Sequence, residues 1–474
     1  MAATFDASPP RRLPLAVVAG LTLLAGSLWA ALEVAFLDAR LQSLRLPAFD
    51  TAYFQQLVWG LFHGHPFHAS FLQGNFLGLH FSPLLVLPAL VELALPGAAG
   101  LNLVSAVALG AVAPTCFMAC REILPRGAAG TGLAGVIAVA VLVSPPMQEV
   151  AWSGFHTEEL ALPLLLLATW SVLRGQRVVT VALLLAVLLA KEDEAYQVAV
   201  LGALLMVSGR PRAGRWALGT AMVWLVVVVA VVMPWIRAGA PADTGNYYAW
   251  LVSGGVAATI SAGRLVEVLR ALTAFEAWRL VALTAFALSL LPLLRPRFAL
   301  LVLPPVLAAV LSRHQPQPHL QLQYALPIVY PMVIAAALGG RRLLEGRQGR
   351  RGLVAAALIP ALAAALAGTL LTPMATLLTH RGPQHLGGLA AAMVVVPAGA
   401  EVDSDDSLAA AVASRAELHL LPHVTPAAFV LVDTAARPPR YTDTAARDGV
   451  VAALGSARRV LWSDGRIQLW SPVP

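Results

Sequence analysis

Val178-Val-Thr-Val-Ala-Leu-Leu-Leu-Ala-Val-Leu-Leu-Ala190 runs straight into Lys191-Glu192-Asp193-Glu194, and the chain turns apolar again from Ala195 to Val207. How this stretch divides decides the fold. As one kinked helix it crosses a bilayer once. As two short helices it crosses twice, and every later segment changes sides. The arginines choose between these. They gather at Arg11/Arg12, Arg121/Arg126, Arg174/Arg177, Arg210/Arg212/Arg215, Arg295/Arg297 and Arg341/Arg342 with Arg347, Arg350 and Arg351. Cytoplasmic loops of membrane proteins are enriched in basic residues. Only a break at Lys191 puts every cluster on that side.

Working outward, the rest of the chain suits the same solvent. Of 474 residues 58% are hydrophobic and 12% charged, and the mean hydropathy is +0.75. Globular proteins carry about 25% charged residues. Membrane barrels need segments of roughly ten residues with alternating polarity, and the first 375 positions show none. The formal charge of +7 sits at helix ends, so it does not indicate nucleic acid. Leu13–Leu37 is too long for a signal peptide and reads as a retained helix. The pattern predicts an all-α, multi-pass membrane protein of about eleven spans: 13–37, 99–120, 128–146, 158–173, 178–190, 195–209, 216–236, 277–294, 298–312, 321–340 and 353–373. The N-terminus is then cytoplasmic and the C-terminus outside. Ser82–Leu95, with Pro83, Pro88 and Glu92, is too short to cross and reads as a re-entrant or interfacial helix. Cys116 and Cys120, four apart on one apolar helix, make an unlikely disulfide.

In this topology the unusual polar residues share the outer face. Asp50 opens a polar, aromatic loop (38–98) that also carries His63, His65, His68, Asn75 and His80. His156, Glu158 and Glu159 open the fourth span, and Arg313 and Tyr324 flank another outer loop. Val178–Ala190 is short at ~1.5 Å rise per residue, so Lys191–Glu194 should lie below the headgroups in a wet cavity. Charge at that depth costs at least ~2–3 kcal/mol per group unless it meets water or a partner. The plain alternatives are helix-end charges: Glu192 and Asp193 capping the next helix and paired with Lys191, and Glu158 and Glu159 complementing a helix dipole. The histidine spacing matches no standard zinc framework. Phe54–His63 and Arg264–Arg279 have amphipathic periodicity and are expected to lie along the outer leaflet.

After Pro373 the composition changes. Met393–Pro397 and Phe429–Asp433 read as strands, with Asp403–Asp406 capping a helix over Ser407–Glu417. Asp464-Gly465 between two short apolar runs signals a hairpin. Residues 1–375 thus form the membrane domain, and 376–474 a small extracytoplasmic α/β domain, for acceptor binding or as a lid.

The order of blocks — Phe49-Asp50, Phe54-Gln55-Gln56, Trp59, Gly64-His65-Pro66, Gly78 to Pro83, Phe155 to Glu158, Lys191 to Asp193, Tyr324 to Pro331 — resembles a bacterial multipass family of unknown function. That family in turn resembles the GT-C-type glycosyltransferases. The resemblance implies a plasma-membrane transferase using a polyprenyl-phosphate-linked sugar as donor and a cell-envelope acceptor. Asp50 would be the general base. His156, Lys191 or Arg313 would neutralise phosphate, and Glu192, Asp193 and Tyr324 would hold sugar hydroxyls, with His80 and Glu158 also in the binding set. GT-C enzymes commonly pair two acids in the first outer loop. Here Asp50 stands alone after Asp38, so a divalent metal is left open. The competing classes are a transporter or flippase for a lipid-linked or small solute, and a membrane scaffold.

Overall fold

A helix can cross a bilayer when about 20 residues in a row are mostly apolar. Among the described residues four helices are long and apolar enough to cross a bilayer: Leu15–Gln42, Ala98–Ile123, Pro211–Arg237 and Leu322–Glu345. Ala128–Leu142 and Pro145–Ser153 make a fifth if taken as one span bent by 42°, the bend falling at Ser144-Pro145-Pro146. The computed structural model describes residues 15–70, 72, 74–239, 247–252, 262–273, 275–345, 385–397, 399–436 and 442–473. The span expected at 353–373 lies outside them.

By length alone, then, the described residues give four or five crossings rather than eleven. The other expected spans are shorter helices: Thr157–Leu173, Arg177–Ala190, Ala195–Val207 and Phe275–Ala287, and Pro296–Leu311. A crossing helix needs about 20 residues, and these runs are cut by prolines or charge. The decisive division does occur. Lys191 is extended (φ −163°, ψ 153°), Glu192–Glu194 form one 3₁₀ turn, and a new helix starts at Ala195.

The helices pack through a core from Val18 to Leu338. Leu15–Gln42 meets Ala98–Ile123 at a glycine pair, where a Cβ on Gly26 would fall 2.2 Å from the Gly110 carbonyl oxygen. Close approach through small residues is the usual device where solvent gives no drive for helix association. Near that crossing Glu33 is fully buried and accepts hydrogen bonds from Trp29 Nε1 (3.0 Å) and Ser105 Oγ (3.1 Å).

The segment expected to lie flat on the leaflet is instead packed inside. Phe54, Leu57 and Val58, on helix Tyr53–Gly60, are buried with Phe76, Leu85 and Phe155. Its apolar stripe finds protein before it finds lipid. Leu84, Leu85 and Ala89 of the short helix Pro83–Glu92 also face inward, while Leu87, Leu90 and Leu93 face out. Arg264–Arg279 falls on two helices, Ala262–Leu272 and Phe275–Ala287.

The C-terminal region contains a five-stranded sheet in the order β2-β1-β3-β5-β4. β1 (Val402–Ser404) runs parallel to β2 (Leu418–Leu420) and β3 (Phe429–Asp433). β5 (Ile467–Trp470) is antiparallel to β3 and to β4 (Val460–Ser463), which makes the expected hairpin. The expected strand at Met393–Pro397 is wrong. Leu386–Val394 is a helix whose Leu389 and Ala392 point into the core, because three-residue spacing, not alternation, orders its buried positions. The helix expected over Ser407–Glu417 is shorter, Asp406–Val412.

This layer shares one core with the end of the first helix. Leu37, Leu46 and Ala48 pack with Val402, Leu431 and Leu469. Ser70 Oγ donates to the Leu418 carbonyl (2.6 Å) and accepts from its N–H (2.8 Å), and Gln56 Nε2 donates to the Arg415 carbonyl (2.9 Å). The sheet is thereby clamped over the loop that carries Asp50.

Candidate functional site

The site starts from a tight turn. After Pro47, Ala48–Ala52 coil in a wide helical turn that buries Ala48, Thr51 and Ala52. Asp50 keeps about a fifth of its side chain exposed and faces His156, whose Nε2 is 3.3 Å from Asp50 Oδ1.

His156 is aimed by its own loop. Helix Pro145–Ser153 ends at Gly154, with φ 84° and ψ −173°. His156 then caps Thr157–Leu173, its N–H donating to Glu159 Oε1 (3.2 Å). His156 Nδ1 lies 3.1 Å from the Gly154 carbonyl. A carbonyl only accepts, so Nδ1 carries a proton. Nε2 faces a carboxylate, and the cationic ring donates on both sides. Burial pulls the imidazole pKa down. The hydrogen bond and charge of Asp50, with the Glu158 charge and the Gly154 carbonyl, outweigh this and hold it above the ordinary 6.5.

The Lys191 turn forms the opposite wall. Lys191 Nζ contacts Glu158 Oε1 and lies 3.5 Å from Asp193 Oδ2. Glu192 reaches across to the first loop, with Oε1 3.0 Å from His80 Nδ1 and Oε2 accepting the Phe81 N–H (2.9 Å). Burial raises the Glu192 carboxyl pKa, but His80 and Lys191 outweigh it and keep it below its usual value. A lysine held between two acids is no spare cation.

Asp50, His80, His156, Glu158, Lys191, Glu192, Asp193 and Tyr324 all line one cavity of about 490 Å³. Of the expected set only Arg313 is left out. It pairs with Glu267 at 3.3 Å and stacks over Trp250 at 4.9 Å, so its charge is spent on a neighbouring surface helix. A second cavity, of about 990 Å³, adjoins the first, and Phe49, Asp50, Tyr53, His80, Tyr247, Gln323 and Tyr324 line both. Its outer rim is the β2 loop, with His419, Pro422 and His423, together with Thr442 and Asp443. Asp50 therefore belongs to the wall that the two cavities share. Among the described residues no three His, Cys, Asp or Glu side chains are set to hold a metal together. The acids are turned instead to His156, His80 and Lys191, and this donor set does not fit a bound divalent cation.

Several lining residues escaped the sequence reading. Tyr53 sits one helical turn after Asp50, and that spacing could have found it. Tyr247 stacks on His314 at 4.3 Å, a pairing across 67 positions that no local pattern reveals.

Comparison with known proteins places the chain. Residues 40–434 match a family described as "Predicted membrane protein (DUF2079)". No curated protein matches. Two solved structures of ArnT from Cupriavidus metallidurans are similar in fold. The one bound to undecaprenyl phosphate has a TM-score of 0.55 at 12% identity, and the apo state 0.53 at 14%. Each match covers 96% of this chain and 98% of the other.

Proposed function

The chain belongs to the DUF2079 family of predicted membrane proteins, and from that premise we propose that it is a GT-C-type membrane glycosyltransferase. In this reading it moves a sugar from a polyprenyl-phosphate donor to an acceptor outside the cytoplasm. It inserts by about eleven crossings, the short helices included, with 376–474 as a small outer domain beside the acceptor. One observation carries the reading: Asp50, paired with His156, lies on the wall common to two adjoining cavities. The ArnT-like fold supports it, since that relative was crystallised with undecaprenyl phosphate.

The chemistry needs little apparatus. Asp50 takes the proton of the acceptor hydroxyl as its oxygen bonds to the anomeric carbon. The bond from that carbon to the phosphate oxygen breaks, and the lipid phosphate leaves with the electron pair. The phosphate gains negative charge as it departs, and the His156 imidazolium beside Asp50 is the cation placed to offset it. Lys191 is already engaged by Glu158 and Asp193, so its part is to hold the acids in position. Glu192, Asp193, His80 and Tyr324 offer acceptors and donors for sugar hydroxyls.

The test is transfer from a radiolabelled polyprenyl-phosphate sugar by the full chain reconstituted in vesicles with an envelope extract. Asp50→Asn should abolish transfer at unchanged protein level. Transfer by that variant at the native rate would overturn the assignment, and solute movement without donor turnover would favour a transporter.

A further inference from the structure

A third cavity, of about 1,180 Å³, lies away from the acid cluster, between helices Arg177–Ala190, Ala195–Val207 and Pro211–Arg237. Its walls are apolar, among them Val181, Leu185, Leu201 and Ala217. One end is different. Arg177, Arg210 and Arg212 all stand at the mouth nearest the starts of the first and third helices. Arg210 is occupied, donating to the Leu173 carbonyl at 2.5 Å and to that of Val172. Arg177 and Arg212 are exposed, and their side chains make no hydrogen bond or ion pair among the described residues.

These two positions are poor ones for a cation. Each falls in the first turn of a helix, where the macrodipole favours negative charge. Basic residues are expected on this membrane face, but that bias does not ask for them at two converging helix starts over an apolar groove. An anion between them would satisfy both arginines and both dipoles. The groove also has a length. From Arg212 to Trp224, which lines its far end, twelve residues rise roughly 18 Å. One leaflet of hydrocarbon is about 15 Å deep.

We propose that this groove is a binding site for one anionic phospholipid of the bilayer, with its phosphate between Arg177 and Arg212 and an acyl chain along the groove toward Trp224. Charge complementarity selects the headgroup, and leaflet depth selects a membrane lipid over a soluble anion. The site is separate from the proposed donor cavity, so its occupancy does not depend on the transferase reading.

The experiment uses the full chain in neutral detergent, titrated with phosphatidylglycerol or phosphatidylcholine of identical acyl chains and read by native mass spectrometry. One phosphatidylglycerol should bind at least about tenfold more tightly than phosphatidylcholine. Arg177→Ala/Arg212→Ala should erase that preference, while Arg297→Ala, in another basic cluster on the short helix Pro296–Ala299, should keep it. Leu185→Trp, which fills the groove and leaves the arginines in place, should lose the bound lipid. Equal binding of the two lipids would overturn the proposal. So would complete competition by inorganic phosphate, displacement by a polyprenyl phosphate at tenfold lower concentration, or an unaffected Leu185→Trp protein.

Discussion

At the scale of the residue, two side chains hold their neighbours in place and can be interrogated one at a time. The His156 pKa is raised because Asp50, with Glu158 and the Gly154 carbonyl, outweighs burial. Asp50→Asn removes the largest raising cause and should lower its titration midpoint, seen by NMR of ¹⁵N-labelled histidine. In the native protein the sign is fixed: the folded pKa lies above the unfolded one. The stability from this pair is complete below about pH 6.5 and is lost as pH rises through the raised value. Lys191 tests the other wall. Lys191→Ala leaves Glu158 buried without its cation, which costs about 3–5 kcal/mol. A lowered thermal midpoint that Glu158→Gln largely restores would bear this out. Lys191 was legible in the sequence because charge inside an apolar run is costly and must have a reason. Its partner Glu158 was marked as an acid opening the fourth span, but their contact across 33 positions was not legible. Arg313 shows the limit, since nothing in the linear order reveals that Glu267 and Trp250 already engage it.

Among the elements, the bend before helix Thr157–Leu173 sets the imidazole against the carboxylate. Gly154 occupies a region of backbone space that other residues enter only at about 1–3 kcal/mol, and a Cβ there would come 3.1 Å from Thr51 Oγ1. Gly154→Ala should lower thermal stability by that order and reduce transfer more than binding of the lipid donor. Separate initial-rate and equilibrium-binding measurements would tell the two apart. The break at Lys191 could be seen from charge alone. The elements missed were the short ones. β1 and β2 are three residues each and cannot display a period, and Met393–Pro397 was apolar enough to mimic a strand while holding the end of a helix and the turn after it. Amphipathic stripes mark a buried face without saying what buries it, so Phe54 and Leu57 were assigned to lipid when Phe155 and Leu85 were waiting.

For the whole molecule, hydropathy gave the membrane class and positive-charge bias gave an orientation, because both act on stretches of many residues. Counting crossings needs helix ends, and these are fixed by local packing that composition does not record. The convergence of Asp50, Glu192 and Asp193 in one wet pocket, with His156 reaching into it, was expected from the sequence, and one cavity of about 490 Å³ is lined by all four. The shared wall with Asp50 in it was not, since it depends on a sheet 348 positions later closing over the first loop. That shared wall has a kinetic signature. Two reactants housed on either side of one carboxylate can be present together, so neither has to depart before the other is admitted. Initial velocities measured at several fixed levels of each substrate should give intersecting double-reciprocal lines. A parallel set would mean that the enzyme is glycosylated between half-reactions and that the two chambers are filled by turns.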